Sequence, residues 1–584
     1  MDFAEFSERF RRRFRASAIY RNGDTHVNTC SEKRIRGMSS AIRAKDRWMD
    51  KLGNDEIRAH WSHEAAQQGL TEREIEYVLD ELARYAALHV PGSGVCLSPV
   101  DQVWVSDSLV DEATAAELRR YTAILEDVPD RLRDWHPGSD GQVLNLVHPS
   151  LYPIVYGITP ILSEPIASPA AALEVRTFGA FPGAPEAWKA AFESVAAAAG
   201  GADPQQQPRF RLVQRGVAYV SPRFCWLPSE FRVAEDGAVA IESYINNLHP
   251  VRHAALYPTI AAVFARFVPM LAHVLTDLVY PRGPRVPVHA DALFEYDGPE
   301  PEKGFDPGDP GDSDDGYDAE EAYYERYEAW RDTRRFVESQ PDKFAAPERR
   351  MVPVTLRGRR LQAIVKMSSI RLTPDNPEYA GGSWHVEAMA NERIVATGIY
   401  YYDVENITES TLEFRESLEK EELEYFREGD QREGARLAYD AFEGRSQGRL
   451  VQHIGGVAAA HGRCIVFPNV YQHRVSEFRL ADPTKPGHRK ILAFFFVNPT
   501  VRVPSSEIVP PQQQDWWAPA ALGRYCMPML PAVVRDGILG YVDFPMPLAA
   551  AKEPRLELMA ERTANNSSAE EVSGFDAEFH LCEH

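Results

Sequence analysis

The chain has 584 residues, 44% of them hydrophobic and 10% aromatic, with a formal net charge of -22 and a pI near 5.3. That much apolar surface excludes wholesale disorder, and an acidic surface whose longest basic run is Arg11-Arg12-Arg13 argues against a nucleic-acid partner. No apolar run approaches the ~18 residues of a membrane span, Met1 to Arg15 lacks the apolar core of a signal peptide, and the six cysteines form no CxxC pair, so the expectation is a cytoplasmic protein with no membrane partner.

Residues 1–100 read as a helical N-terminal region. Thr71 caps a predicted helix to Leu88, with Glu72 and Glu74 in its first turn and Ile75, Val78, Leu79, Leu82 and Ala86 on one face. Residues 101–297 read as a mixed α/β region packing on a strand-rich C-terminal part. It holds an amphipathic helix over Asp111–Leu125, a turn-rich DWHPGSD segment at Asp134–Asp140, and a long, very apolar buried helix over His253–Leu278. Residues 298–345 alternate Pro, Gly and Asp and then become a charged helix, together an acidic linker. From 346 to 505 the pattern turns to strands, at Val352–Leu356, Leu361–Leu372, Ile394–Tyr402, Leu450–Ile454, Arg463–Phe467 and Lys490–Val497. An insert at 403–448, with Thr408–Arg427 read as an amphipathic helix, is expected to cover the site as a lid. Residues 506–552 form a C-terminal extension, and 553–584 read as a disordered tail.

Chemistry gathers in the strand-rich part. His385 and Glu387 stand at i and i+2, which puts both on one face of an extended chain. His473 comes after a Gly-Arg-strand-Phe-Pro-Asn step, 86 residues after Glu387, and Arg489 lies 16 residues further on. Two imidazoles and a carboxylate on one face of an iron leave three positions open. A 2-oxo acid can take two and dioxygen the third. The acid's distal carboxylate then needs a cation, and an arginine fork suits it. Arg489 and Lys490 point to opposite faces, so one of them serves, and Arg489 is favoured.

The order His-x-acid, His, Arg resembles the 2-oxoglutarate/Fe(II) dioxygenases, most of all the prolyl-4-hydroxylase branch. That branch usually carries Asp where this chain has Glu387. The whole chain is similar to an uncharacterised domain-of-unknown-function family numbered four-two-four-six. The likeness rests on Asp134–Asp140, Leu146–Tyr156, Ser243–Pro250, Trp384–Glu387, Tyr400–Thr408 and Phe467–Val475. It implies an α+β molecule, with a helical N-terminal region packed on a C-terminal double-stranded β-helix (jelly-roll) oxygenase domain. The oxygenase resemblance implies Fe(II) on His385, Glu387 and His473 and 2-oxoglutarate on Arg489; the family implies no substrate, and a small molecule or a protein side chain is expected. A cupin-type metal enzyme without 2-oxoglutarate and a catalytically silent binding module stay open. His136 and His148 can be read as a second metal pair, but in Pro- and Gly-rich turns they are expected to bond backbone. Asn246, Asn247 and His249 are read the same way. One or two of Tyr400, Tyr401 and Tyr402 are expected in the pocket, and His453 and His461 flank the site without binding metal.

Overall fold

The computed structural model describes residues 26–174, 178–180, 220–288, 294–303, 314–346, 352–418, 447–449, 451–517, 530–542, 544–573 and 578–580. The helical beginning is built as its caps predict. Helix α1 (Cys30–Arg43) is capped by Thr29, and α2 (Glu72–Leu88) opens on a capping box in which Thr71 and Glu74 satisfy each other's backbone. Buried ion pairs tie this part to the rest. Arg285 bonds Glu81 and Asp101 at 2.9 and 2.7 Å, and burial without those carboxylates would be prohibitive. Helix α3 (Glu112–Glu126) is capped by Asp111.

The centre is a ten-stranded antiparallel sheet. Its principal strands are β1 (Trp104–Ser106), β2 (Val143–Val147), β3 (Ser229–Val233), β4 (Arg360–Leu372), β5 (Ile394–Glu405), β8 (Cys464–Pro468) and β10 (Gly487–Val497). The order β1-β8-β5-β10-β4-β2 runs through them, with β3 paired further along β4. A smaller antiparallel sheet joins β7 (Val451–Ala459), β6 (Ser410–Ser417) and β9 (Gln472–Val475), with β6 in the middle.

One face of the large sheet is dry and covered by α4 (Leu256–Val279). Phe494 and Phe496 of β10 meet Phe264 at ring separations of 5.2 and 5.5 Å. Gly398 of β5 has no room for a side chain there, since a Cβ would lie 2.6 Å from Phe267. Helix α4 is long and apolar enough to cross a bilayer, yet 67% of its most apolar stretch is buried inside the protein. Because strand side chains alternate, Arg489 and Ile491 of β10 point to the opposite face, and that face lines a cavity.

Several expectations are corrected. Residues 101–297 do not merely pack on the strand-rich part, because β1, β2 and β3 are strands of its central sheet. They are too short to show a period, and β4 needs partners on its second edge. Val352–Leu356 forms no strand, although Val354 and Leu356 are buried in the core. The helical reading of Thr408–Arg427 fails over Ser410–Ser417, which is β6. There Leu412, Phe414 and Glu416 are buried at alternate positions. Leu423 and Phe426 of the expected lid lie outside the described residues. The tail is not disordered from 553, since α5 spans Leu548–Ser573. Ala551, Arg555 and Leu558 are buried on one side of it, a helical spacing hidden within a polar composition. Beyond it, Glu578–His580 pairs with Gln447–Arg449; Cys582 and His584 lie outside the described residues.

Candidate metal and co-substrate site

His385 and His473 exchange backbone hydrogen bonds of 3.1 and 2.9 Å, an isolated antiparallel bridge that sets the two imidazoles side by side. Their rings are 4.4 Å apart. The segment carrying Glu387 leaves the bridge in a tight bend, with Ala388 at a φ of +61°, a conformation side chains other than glycine seldom adopt. Asn469 holds that bend. Its Oδ1 accepts from Glu387 N at 2.9 Å and its Nδ2 donates to Glu387 O at 3.0 Å. The Pro-Asn turn before His473 thereby fixes Glu387, and the bridge to His473 fixes His385. Trp384, next to His385, is clamped outside by Arg415 and Arg474 at 4.8 and 4.7 Å from its ring.

Among the described residues, His385, Glu387 and His473 form the one group of three potential ligands able to hold a metal, with ligand atoms within 4.8 Å of one another. Glu387 Oε1 lies 3.2 Å from His473 Nε2 and 3.8 Å from His385 Nε2. His385 Nδ1 is 2.8 Å from Ser383 O, so it carries the proton and leaves Nε2 as a lone pair. Burial lowers the His385 pKa to about 4, helped by His473. Burial raises Glu387, but the His473 hydrogen bond and neighbouring imidazole charge outweigh it and bring Glu387 down to about 2. At neutral pH His385 and Glu387 therefore stand in the forms that coordinate metal.

The group opens on a cavity of about 380 Å³. Arg489 reaches it from β10, buried to 4% exposure. Its Nη1 donates to Ser410 Oγ at 2.8 Å, Tyr401 and Phe478 flank the guanidinium at 5.5 and 5.2 Å, and its Nε has no partner. Burial pushes its pKa down, and no ion pair offsets this among the described residues. Lys490 points the other way and pairs with Asp403 and Glu126 at 3.1 and 3.4 Å.

His136 and His148 do line the cavity, with rings 5.3 Å apart. His148 Nδ1 accepts from Ser150 N at 3.2 Å, the backbone bond expected of it. Asn246, Asn247 and His249 bond backbone as expected, and Asn247 holds the loop of His148 through its carbonyl at 2.9 Å. Tyr401 faces the cavity, whereas Tyr400 and Tyr402 are buried outside its lining. His453 rests on Trp384 and His461 accepts from Val404 N. Sequence reasoning missed Ser410, Lys366 of β4, and the contribution of Met559, Arg562 and Thr563 from α5. For Lys366 there was a signal, a cation in the middle of the apolar run Ala363–Met367.

A family model described as "Protein of unknown function (DUF4246)" matches residues 72–520. No curated protein matches the chain. A solved structure titled "Selenomethionine labeled Fe(II)/(alpha)ketoglutarate-dependent dioxygenase TqaL" aligns at 10% identity, over 56% of this chain and 93% of its own, with a TM-score of 0.20, too slight a likeness to carry an argument.

Proposed function

We propose that this chain, which belongs to the DUF4246 family, is a non-haem Fe(II) oxygenase that consumes 2-oxoglutarate. His385, Glu387 and His473 would be its metal ligands and Arg489 the anchor for the co-substrate's distal carboxylate. The two antiparallel sheets on either side of the cavity are then the walls of a double-stranded β-helix. One observation carries the reading: a two-imidazole, one-carboxylate group and a buried arginine without a counterion open on the same cavity. The donor set fits iron(II), which three such ligands leave with positions to spare.

When bound, the iron supplies oxidation of a C–H bond by dioxygen, with 2-oxoglutarate decarboxylated to succinate as the reductant. The chain's residues do the rest. Asn469 and the His385–His473 bridge hold the ligand atoms in place before metal arrives. Arg489, aimed by Ser410, offers a dry cationic fork to one carboxylate. Leu412, Ile399 and Ile491 keep the middle of the cavity apolar and exclude water. A cupin-type reaction without a 2-oxo acid would leave Arg489 buried with nothing to neutralise it.

The test is direct. Purified protein should bind about one Mn(II) or Fe(II) per chain, and His385→Ala or His473→Ala should lower that affinity at least a hundredfold. Fe(II)-loaded protein should release succinate from 2-oxoglutarate in the presence of ascorbate, slowly without substrate. Metal binding unchanged in the double variant, or no succinate under any condition, would defeat the reading.

A further inference from the structure

The cavity is cationic in an acidic protein. Lys366, Arg489 and Arg562 line it, and Glu387 is its one carboxylate, although the chain carries a net charge of -22. Two of the three cations are accounted for. Arg562 bonds Glu392 at 2.5 Å and lies over the ring of Trp226 at 3.8 Å, and Arg489 is assigned above to the co-substrate. Lys366 is left over. It is half-buried on the cavity face of β4, which it shares with Ser368 and Ile370, and has no hydrogen-bond or ion-pair partner among the described residues. Glu387 feels its charge, but that carboxylate is engaged with His473 and makes no ion pair with the lysine. Burial first, and Lys366 second, keep His136 and His148 uncharged. A charge partly withdrawn from water is better off paired, and an anion in the cavity would give Lys366 the partner it lacks.

The register separates Lys366 from Arg489. Arg489 pairs with Ile370 and Lys366 with Ala493, so the backbone positions that carry the two cations stand four strand residues apart along β4, about 13 Å. Lys366 therefore rises from a different part of the cavity wall than Arg489. We infer that the substrate is a small anion, a carboxylate or phosphate, whose charged group is bound by Lys366 with the paired rings of His136 and His148 beside it in the cavity wall. This rests on the oxygenase reading for what happens to the substrate, but not for the binding itself. Helix α5, which closes this end with Met559, Arg562 and Thr563, favours a free small molecule over a side chain of a folded protein.

The experiment uses metal-free full-length protein and two isosteric probes, 4-fluorobenzoate and 4-fluorobenzamide, followed by fluorine NMR. An Arg489→Met background removes the competing cation. There the benzoate should bind at least tenfold tighter than the amide, and inorganic phosphate or acetate should displace it. Adding Lys366→Met should abolish the preference, and Lys366→Arg should keep it, which shows that the fold tolerates change at that position. Equal binding of the two probes in the Arg489→Met protein, or a preference that survives Lys366→Met, overturns the inference. Mn(II) binding by the same variants reports on the triad separately, so a failed metal site and a failed anion site give different patterns.

Discussion

A guanidinium buried to 4% exposure with one neutral partner is an expensive group. Its cost in the free protein and its value with a ligand bound are the same electrostatics seen twice. Arg489→Met should therefore leave the free protein as stable as before or raise its Tm, while weakening 2-oxoglutarate. Losing one partner of a desolvated charged pair costs about 2–5 kcal/mol, or about 30-fold to several thousand-fold in affinity. Lys490→Met should leave that affinity alone, because Lys490 is engaged with Asp403 and Glu126 on the far side. Calorimetric titration of metal-loaded variants checks both, and a loss confined to Lys490→Met would reverse the assignment. Asn469 offers a second residue-scale case. Its amide holds both backbone polar groups of Glu387 and also donates to Ile394 O. As a positioning residue it should cost about 10–100-fold in metal affinity when replaced by Ala. Turnover should recover at saturating Fe(II), a rescue that general unfolding would not give.

At the scale of elements, legibility followed periodicity. Helices α2 and α3 and strands β4, β5 and β10 are long, capped or strongly apolar, and their patterns survive without context. That His385, Glu387 and His473 come together and share a cavity with Arg489 was legible too, because spacing along a strand and position after a turn are local facts. Strands β1, β2 and β3 were not, since three to five residues cannot establish a period. Strand β6 was misread because acids between its apolar residues fit either a strand or a helix face. Helix α5 was hidden because its burial comes from partners far off in sequence, Arg555 with Asp134 and Arg562 with Glu392. Those partners make α5 testable. Arg562→Met removes the guanidinium that lies over Trp226 while keeping an apolar side chain of similar reach, and it leaves Glu392, which is fully buried, short of a counterion. Loss of one member of such a pair costs about 3–5 kcal/mol. The loss is expected near the lower end, because Glu392 also accepts from Trp226 N and Met389 N. Adding Glu392→Gln removes the uncompensated charge, though it gives up one of its two acceptor oxygens, and should restore part of the loss in urea titrations. Additive losses in the double variant would mean that the pair does not hold the helix.

The whole molecule keeps several imidazoles neutral by burying them, and this sets its response to acid. Burial comes first among the causes that bring His136, His249 and His385 down to about 4, and it also lowers His148, His253 and His273. An unfolded histidine titrates near 6.5. Between those values the unfolded chain binds protons that the folded chain refuses, so stability falls as pH drops from about 6.5 toward 4 and is fully present above. Glu387 acts in the same direction lower down, between its ordinary range and about 2. Asp277 opposes them. Burial raises it to about 7 against the opposing pull of the hydrogen bond that Trp104 Nε1 donates to it, so the folded state takes up its proton first and gains stability as pH falls from 7 toward the ordinary aspartate range. Glu416 and Glu561 are raised by burial as well, so three carboxyls are set against seven imidazoles, His453 included, and against Glu32, Glu81, Asp101 and Asp403, whose carboxyls are held low; the groups that lose stability in acid dominate. The Tm of the metal-free protein should be level above pH 7 and fall steadily between pH 6.5 and 4. His136→Gln combined with His249→Gln should flatten that slope, and Asp277→Asn should steepen it. A Tm that held or rose on acidification to pH 4 would mean that these imidazoles take up protons inside the fold, and the neutral pair lining the anion end of the cavity would go with it.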